Sequence, residues 1–331
     1  MRARVFAVPT AVAARYGARP VAATAFYWRR VLRILPAYWL ALTALAVYPG
    51  LARFSDRWWQ LYSLTQVYDP RTTFAGIGPA WSLCIEASFY LLLPLYALAA
   101  SRLYCARRGP RREAAVLASL ALGSIAFHVL IGRTGENSLL AYTLPGTFYL
   151  FALGMALALI SVVGNRVERV VRERGALCWL AAGGTYLVVA TSTDAESLGS
   201  VHPVYGVVAT LLVLPAVFPS EKLAGRTLAI PGLAWLGVIS YGVYLWHQEM
   251  LIEIHRLIPA PLPLAAVALG GTVAIAATSY YLLELPFLRL KRRSPWSRPA
   301  MHDRDGWAGS PYAGPPVPHS YGPPENEHGL A

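Results

Sequence analysis

Residues 140–163 read LAYTLPGTFYLFALGMALALISVV, twenty-four consecutive positions without an Asp, Glu, Lys or Arg. A helix needs about 17–25 apolar residues to cross the hydrocarbon core of a bilayer. Inside that core no water satisfies the backbone, so a single spanning segment must be helical. Working outward, seven more apolar runs lie at about 34–49, 81–100, 115–131, 176–191, 204–219, 233–256 and 262–284. The 34–49 and 204–219 runs are the weakest, and both contain proline, which membrane helices tolerate when neighbours satisfy the freed carbonyl. The predicted fold is all-α: a polytopic transmembrane bundle of about eight spans, occupying residues 34–290.

Composition agrees. Of 331 residues, 56% are hydrophobic and only 14% charged, against about 25% charged in soluble domains. The net charge of +12 is not gathered into a basic domain, which argues against nucleic acid. Instead, 24 of the 29 Lys and Arg residues fall in alternate connections and termini, and 5 in the others. Basic residues accumulate on the cytoplasmic side of membranes. This pattern predicts a multi-pass protein of the cytoplasmic membrane with both termini inside. A very apolar soluble helical protein would have no reason to alternate its charge.

Two segments are expected outside the bilayer: the basic stretch 1–33 and the Pro- and Gly-rich tail 291–331. The tail cannot bury enough apolar surface to fold and is expected to be disordered. The first thirty residues lack the apolar core of a cleavable signal peptide. The outer connection 50–80 carries Trp58, Trp59 and Tyr62, which suit an interfacial helix or re-entrant segment. Cys84, Cys105 and Cys178 form no CxxC pair and have no His at ligand spacing, so neither a disulfide framework nor a metal site is predicted.

Four groups of residues carry chemistry. Arg29, Arg30 and Arg33 sit where the first apolar run meets the cytoplasm. Guanidinium groups grip phosphate bidentately, so they suit the phosphates of a nucleotide-type donor; a positive-inside anchor against lipid headgroups is the alternative. Glu86 lies inside the second run, with Ser82 one turn before it on the same face. An intramembrane carboxylate marks function by default, though a structural carboxylate bonded to a neighbouring helix fits too. His247, with Tyr244 three residues earlier, is placed in the same outer half of the membrane as Glu86. It is read either as a chemical group or as a hydrogen-bonded packing residue. Glu284 faces the cytoplasmic end and is expected to cap a helix or pair with an arginine. His128 has only Ser124 as a polar neighbour at helical spacing and is read as structural.

Four of these runs together resemble the membrane-bound acyltransferase 3 family of bacterial O-acyltransferases. They are the Arg-x-x-Arg-Ile-x-Pro run from Arg30 to Pro36, and the Trp-Ser-Leu-x-x-Glu-x-x-Phe-Tyr-Leu-Leu-x-Pro run from Trp81 to Pro94. The Ile-Ser-Tyr-x-x-Tyr-Leu-Trp-His run spans Ile239 to His247, and Glu-x-Pro-Phe with trailing basic residues spans Glu284 to Arg293. The resemblance implies ten membrane helices, with acyl-CoA, acetyl-CoA foremost, as co-substrate and no bound cofactor. Acceptors would be hydroxyls of cell-envelope glycans, lipids or glycosylated metabolites. Arg29, Arg30 and Arg33 would bind acyl-CoA, Glu86 and His247 would serve the reaction centre, and Trp81, Ser82 and Tyr244 would line the substrate passage. The family's first two helices precede the Arg-x-x-Arg run, and the first carries a His thought to act as general base. Here the residues before Arg30 hold no His and no adequate apolar run. A misplaced start, a fragment and a degenerate paralogue are equally compatible with that.

The expected reaction is acyl transfer to a hydroxyl, in which a base takes the hydroxyl proton while the oxygen attacks the thioester carbonyl. Two other classes compete: a transporter or flippase without acyl chemistry, and a truncated, inactive family member.

Overall fold

The computed structural model describes residues 23–51, 57–103, 109–133, 135–163, 166–192, 198–218, 220 and 222–290. The segment 1–22 and the tail 291–331, and with them the disorder expected of the tail, lie outside the described residues.

Eight helices of 19 residues or more follow one another in the order of the eight apolar runs. They are α1 (Ala23–Val47), α3 (Ala80–Leu103), α4 (Gly109–Gly132), α5 (Leu144–Val163), α6 (Arg166–Ser192), α7 (Leu198–Val217), α9 (Pro231–Leu257) and α10 (Pro261–Ser279). Short helices α2 (Trp58–Tyr62), α8 (Leu223–Leu228) and α11 (Leu285–Leu290) lie between or after them, and Gly135–Tyr142 is a 3₁₀ segment. No strand occurs among the described residues. Among the described residues, five segments are long and apolar enough to cross a membrane: Ala23–Val47, Ala80–Ala99, Arg111–Gly132, Leu139–Ser161 and Pro261–Leu290. They leave large apolar side chains uncovered, Leu91, Leu122, Leu140 and Leu282 among them. A soluble monomer rarely exposes so much contiguous apolar surface.

Local chemistry explains the boundaries. Helices α9 and α10 open on Pro231 and Pro261, where the missing N–H is one that a first helical turn leaves unpaired anyway. Helix α6 breaks its helical dihedrals at Arg174, where the basic stretch gives way to the apolar one. The first apolar run extends further back than its hydropathy suggested: α1 begins at Ala23 and carries all three arginines on its first turns.

The core sits where α1, α3 and the 57–80 connection meet. Tyr38, Leu42, Leu61, Ile77, Leu83 and Cys84 are almost wholly enclosed there. The Tyr38 hydroxyl donates to the Leu61 carbonyl at 2.7 Å, and Trp39 Nε1 to the Tyr62 carbonyl at 2.9 Å, tying α1 to that connection. Within the connection, Arg57 bonds Asp69, and Thr72 Oγ1 donates to Gln60 Oε1 at 2.8 Å. Helix α2 leaves Trp58 and Trp59 about half exposed, 55% and 54%. Helix α9 runs beside α10 so closely that a Cβ on Gly242 would stand 3.0 Å from Ala276 Cα. Small residues permit such backbone approach between membrane helices.

Helix α10 ends in a five-residue π turn, Tyr280–Glu284. Ala268, Thr272, Ala276, Tyr280 and Glu284 form a row of buried positions at every fourth residue. At 3.6 residues per turn, such a row drifts about 40° per step. The wider π turn slows that rotation and keeps Glu284 on the inner face.

Candidate functional site

Helix α3 places Ser82, Glu86 and Tyr90 at successive spacings of four, so they form one polar ladder. Helix α1 faces its lower rungs. Arg30 Nη1 donates to the Tyr90 hydroxyl at 3.1 Å, and Tyr90 in turn donates to Glu86 Oε1. The Arg30 guanidinium carbon also stands 4.4 Å from the centroid of the Tyr90 ring and 5.4 Å from that of Phe26. The arginine thus meets two neighbouring rings, set edge-to-face to one another, as well as making a hydrogen bond; such cation–π contact strengthens as water is excluded.

Helix α9 supplies the upper rung. The Tyr244 hydroxyl donates to the Pro79 carbonyl, which also accepts from the Ser82 hydroxyl at 3.2 Å, and the two hydroxyls stand 2.9 Å apart. Tyr241, one turn below, donates to the Ile34 carbonyl of α1 at 2.8 Å. The two tyrosine rings lie nearly parallel, 11° apart. Three helices far apart in sequence are therefore stitched by phenols: α1 to α3 through Tyr90, α3 to α9 through Tyr244, and α9 to α1 through Tyr241.

The predicted site residues separate into three groups. Arg30, Glu86, Ser82 and Tyr244 are joined through this network. Arg29 bonds its own helix at the Ala25 carbonyl, and Arg33 is exposed. Arg33 is the charge that faces the buried Glu284, without closing an ion pair. His247 lies on the exposed side of α9, with Nδ1 against the carbonyls of Val243 and Tyr244. Glu86 finds its partner in Tyr90 rather than in that imidazole. Glu253 pairs with Arg256 beyond it.

Two participants escaped the sequence reading. Tyr90 sits inside the quoted Trp81–Pro94 run, four residues from Glu86, so its spacing alone was signal enough. His202 gave no such signal: its ring meets Trp81 at 6.2 Å and His128 at 5.6 Å across long sequence separations. Trp81 in turn stands 5.2 Å from Tyr142 at the same end of α3. His128, read as structural, is buried with Nδ1 at 3.0 Å and 3.1 Å from the carbonyls of Ala141 and Gly146.

Comparison with known proteins bears on this arrangement. Residues 5–283 match the family described as an acyltransferase domain, Acyl_transf_3. Nodulation protein 10 of Rhizobium leguminosarum bv. viciae is 30% identical, over 82% of this chain and 77% of its own length. Exopolysaccharide production protein ExoZ of Rhizobium meliloti is 27% identical, over 83% of this chain and 84% of its own. The putative peptidoglycan O-acetyltransferase YrhL of Bacillus subtilis is 26% identical over 85% of this chain, which spans about half (48%) of that relative's length. No solved structure matches. With a family match across most of its length and the family's four runs in order around a phenol-bridged arginine and carboxylate, this chain belongs to the acyltransferase 3 family of membrane acyltransferases.

Proposed function

We propose that this chain is a cell-membrane O-acyltransferase. It moves an acyl group, acetyl foremost, from cytoplasmic acyl-CoA to a hydroxyl of a cell-envelope glycan, lipid or glycosylated metabolite. The observation that carries the reading is the Arg30–Tyr90–Glu86 connection, which couples the basic end of α1 to a carboxylate within the bundle. The names of the relatives, which include peptidoglycan O-acetyltransferases and an exopolysaccharide production protein, support the acceptor class.

In this reading Arg29 and Arg33 meet the donor's phosphates at the cytoplasmic entrance, and Arg30 forms the floor beneath them. The thioester arm extends from there toward Ser82 and Tyr244. Glu86 and its phenol orient the reacting groups, and His247 stands at the rim of the passage. The acceptor oxygen attacks the thioester carbonyl, the carbon–sulfur bond breaks, and free CoA leaves on the side it entered.

The test is transfer of label from acetyl-CoA in membranes containing the chain, read both as CoA thiol release and as ester label in envelope fractions. The wild-type chain is expected to release CoA in step with ester formation. Arg30→Ala should abolish both while the protein still inserts. Substrate flux without CoA release would favour a transporter and overturn the proposal; so would wild-type rates in Arg30→Ala.

A further inference from the structure

Helix α10 and its π turn form one wall of a groove of about 380 Å³. Ala274, Thr278 and Leu282 lie on that wall, while α1 contributes Leu40 and α9 contributes Trp246. Leu40 and Leu282 are 41% and 75% exposed, so the groove opens to whatever surrounds the bundle. Both α1 and the Pro261–Leu290 segment are long and apolar enough to cross a membrane, and their surroundings at that depth are hydrocarbon.

The groove offers an occupant little but hydrocarbon in return. Two polar atoms of its lining residues, Trp246 Nε1 and Ser279 Oγ, have almost no accessible surface. The Thr278 hydroxyl is turned onto the Ala274 carbonyl, to which it donates at 2.8 Å. A bound water needs two to four polar partners, which this surface does not supply. At about 30 Å³ for a water-sized group, the space takes about a dozen methylenes, a good part of a fatty chain.

Below the groove the chain turns basic. Arg289 is exposed on the last turn of α11, with no ion pair among the described residues. Lys291, Arg292 and Arg293 follow it in the sequence, and the charge alternation assigns this end to the cytoplasm. Four or more basic residues directly cytoplasmic of a membrane helix suit an anionic lipid headgroup. The spacing suits one too. Leu283, at the lower end of the groove, is six residues or about 9 Å along the helix from Arg289. Ala274 is a further nine residues or about 13 Å up. Each leaflet holds about 15 Å of hydrocarbon. A lipid whose phosphate meets Arg289 would therefore carry its chain through the groove and end near the midplane.

We propose that this groove is the binding site of an anionic phospholipid of the inner leaflet. One acyl chain lies between α1, α9 and α10, and the phosphate sits at the basic cluster that begins with Arg289. A chain lodged there braces α1, which carries Arg30, against α10. The site goes beyond the acyltransferase reading and does not depend on it.

The experiment uses the full chain, purified in detergent and stripped of native lipid. Dimyristoyl phosphatidylglycerol is the probe and dimyristoyl phosphatidylcholine the neutral control, with binding followed by native mass spectrometry. One phosphatidylglycerol is expected to stay bound at concentrations where phosphatidylcholine has left. Each basic residue engaged contributes about fivefold in affinity. Arg289→Gln combined with Lys291→Gln should therefore weaken phosphatidylglycerol by about 25-fold and leave phosphatidylcholine unchanged. Ala274→Phe puts a ring in the groove; displacing two methylenes should weaken both lipids by about tenfold. Thr278→Phe, on the same wall, replaces it should that variant aggregate. Leu122→Phe, on the exposed face of α4, should bind as wild type. Equal affinity for the two lipids overturns the proposal, and so does wild-type binding in the groove-filling variants. A chain that dimerises when stripped, and that Ala274→Phe returns to monomer without any effect of lipid, has a second copy as its occupant and also overturns it. Acetyl transfer is not read here, so failure of this site and failure of the acyltransferase reading are separate outcomes.

Discussion

Replacing Tyr90 by Phe removes one oxygen and leaves the ring that packs under Arg30. The stacking at 4.4 Å survives, while the bonds to Arg30 and to Glu86 are both lost. Hydrogen bonds to charged groups contribute about 1.5–3 kcal/mol each. If one such bond supports the reacting geometry, the barrier rises by that amount, which is about 10- to 150-fold in rate. Folding should change less than catalysis, because the aromatic burial and the cation–π contact remain. The assay is labelled-acetyl transfer in membranes for wild type, Tyr90→Phe, Glu86→Gln and the double variant. Groups that act as a unit give non-additive losses, with coupling of about 0.5–3 kcal/mol. The double variant should therefore lose little beyond the worse single one. Strictly additive losses, or a Tyr90→Phe rate equal to wild type, would refute the idea that the phenol links arginine to carboxylate.

Other measurements check the remaining parts. Arg30→Lys keeps the charge but loses the planar group that meets the Phe26 and Tyr90 rings, so the donor KM should rise about tenfold or more, as Arg and Lys are not equivalent at stacked sites. Gly242→Val forces a branched side chain against Ala276 and should cost about 1–3 kcal/mol, seen as a lower melting temperature in detergent. Asp69→Ala breaks the pair with Arg57, whose side chain is 39% exposed; the direct loss should stay within about 1 kcal/mol, with activity largely kept. His247→Gln should change the acceptor KM more than kcat if that residue only rims the passage; a hundredfold fall in kcat would assign the base to it. Reporter tags within residues 101–114 should remain inside the cell, and an external signal there would reverse the proposed orientation.

The helical architecture was legible because length and apolarity are local properties. Each apolar run became a long helix, and the ends moved where prolines and basic residues set them. The largest shift was at α1. Arg29, Arg30 and Arg33 look like a water-facing stretch when only hydropathy is counted. On a helix they divide between faces, and Arg30 turns inward because Phe26 and Tyr90 receive it. The site was legible in part. Glu86 and Ser82 stood out by their polarity in an apolar run, whereas Tyr90 was hidden by its ordinary aromatic character. The meeting of His202 with Trp81 depends on how α7 packs on α5 and α4, and nothing in the spacing of one chain encodes that. His247 shows the converse: its motif was conspicuous, yet its imidazole turns to carbonyls of its own helix.

The widened turn at 280–284 has a consequence for the winding of this stretch. Rewound to ordinary helical pitch at the same length, it would carry the Glu284 carboxylate tens of degrees further round, toward the acyl chains of the surrounding lipid. A bare carboxylate there costs several kcal/mol. Taking out one residue along with the rewinding would bring the carboxylate back toward its present bearing. The unusual pitch and the extra residue therefore belong together, and changes that tighten the turn without shortening it are what this stretch must resist.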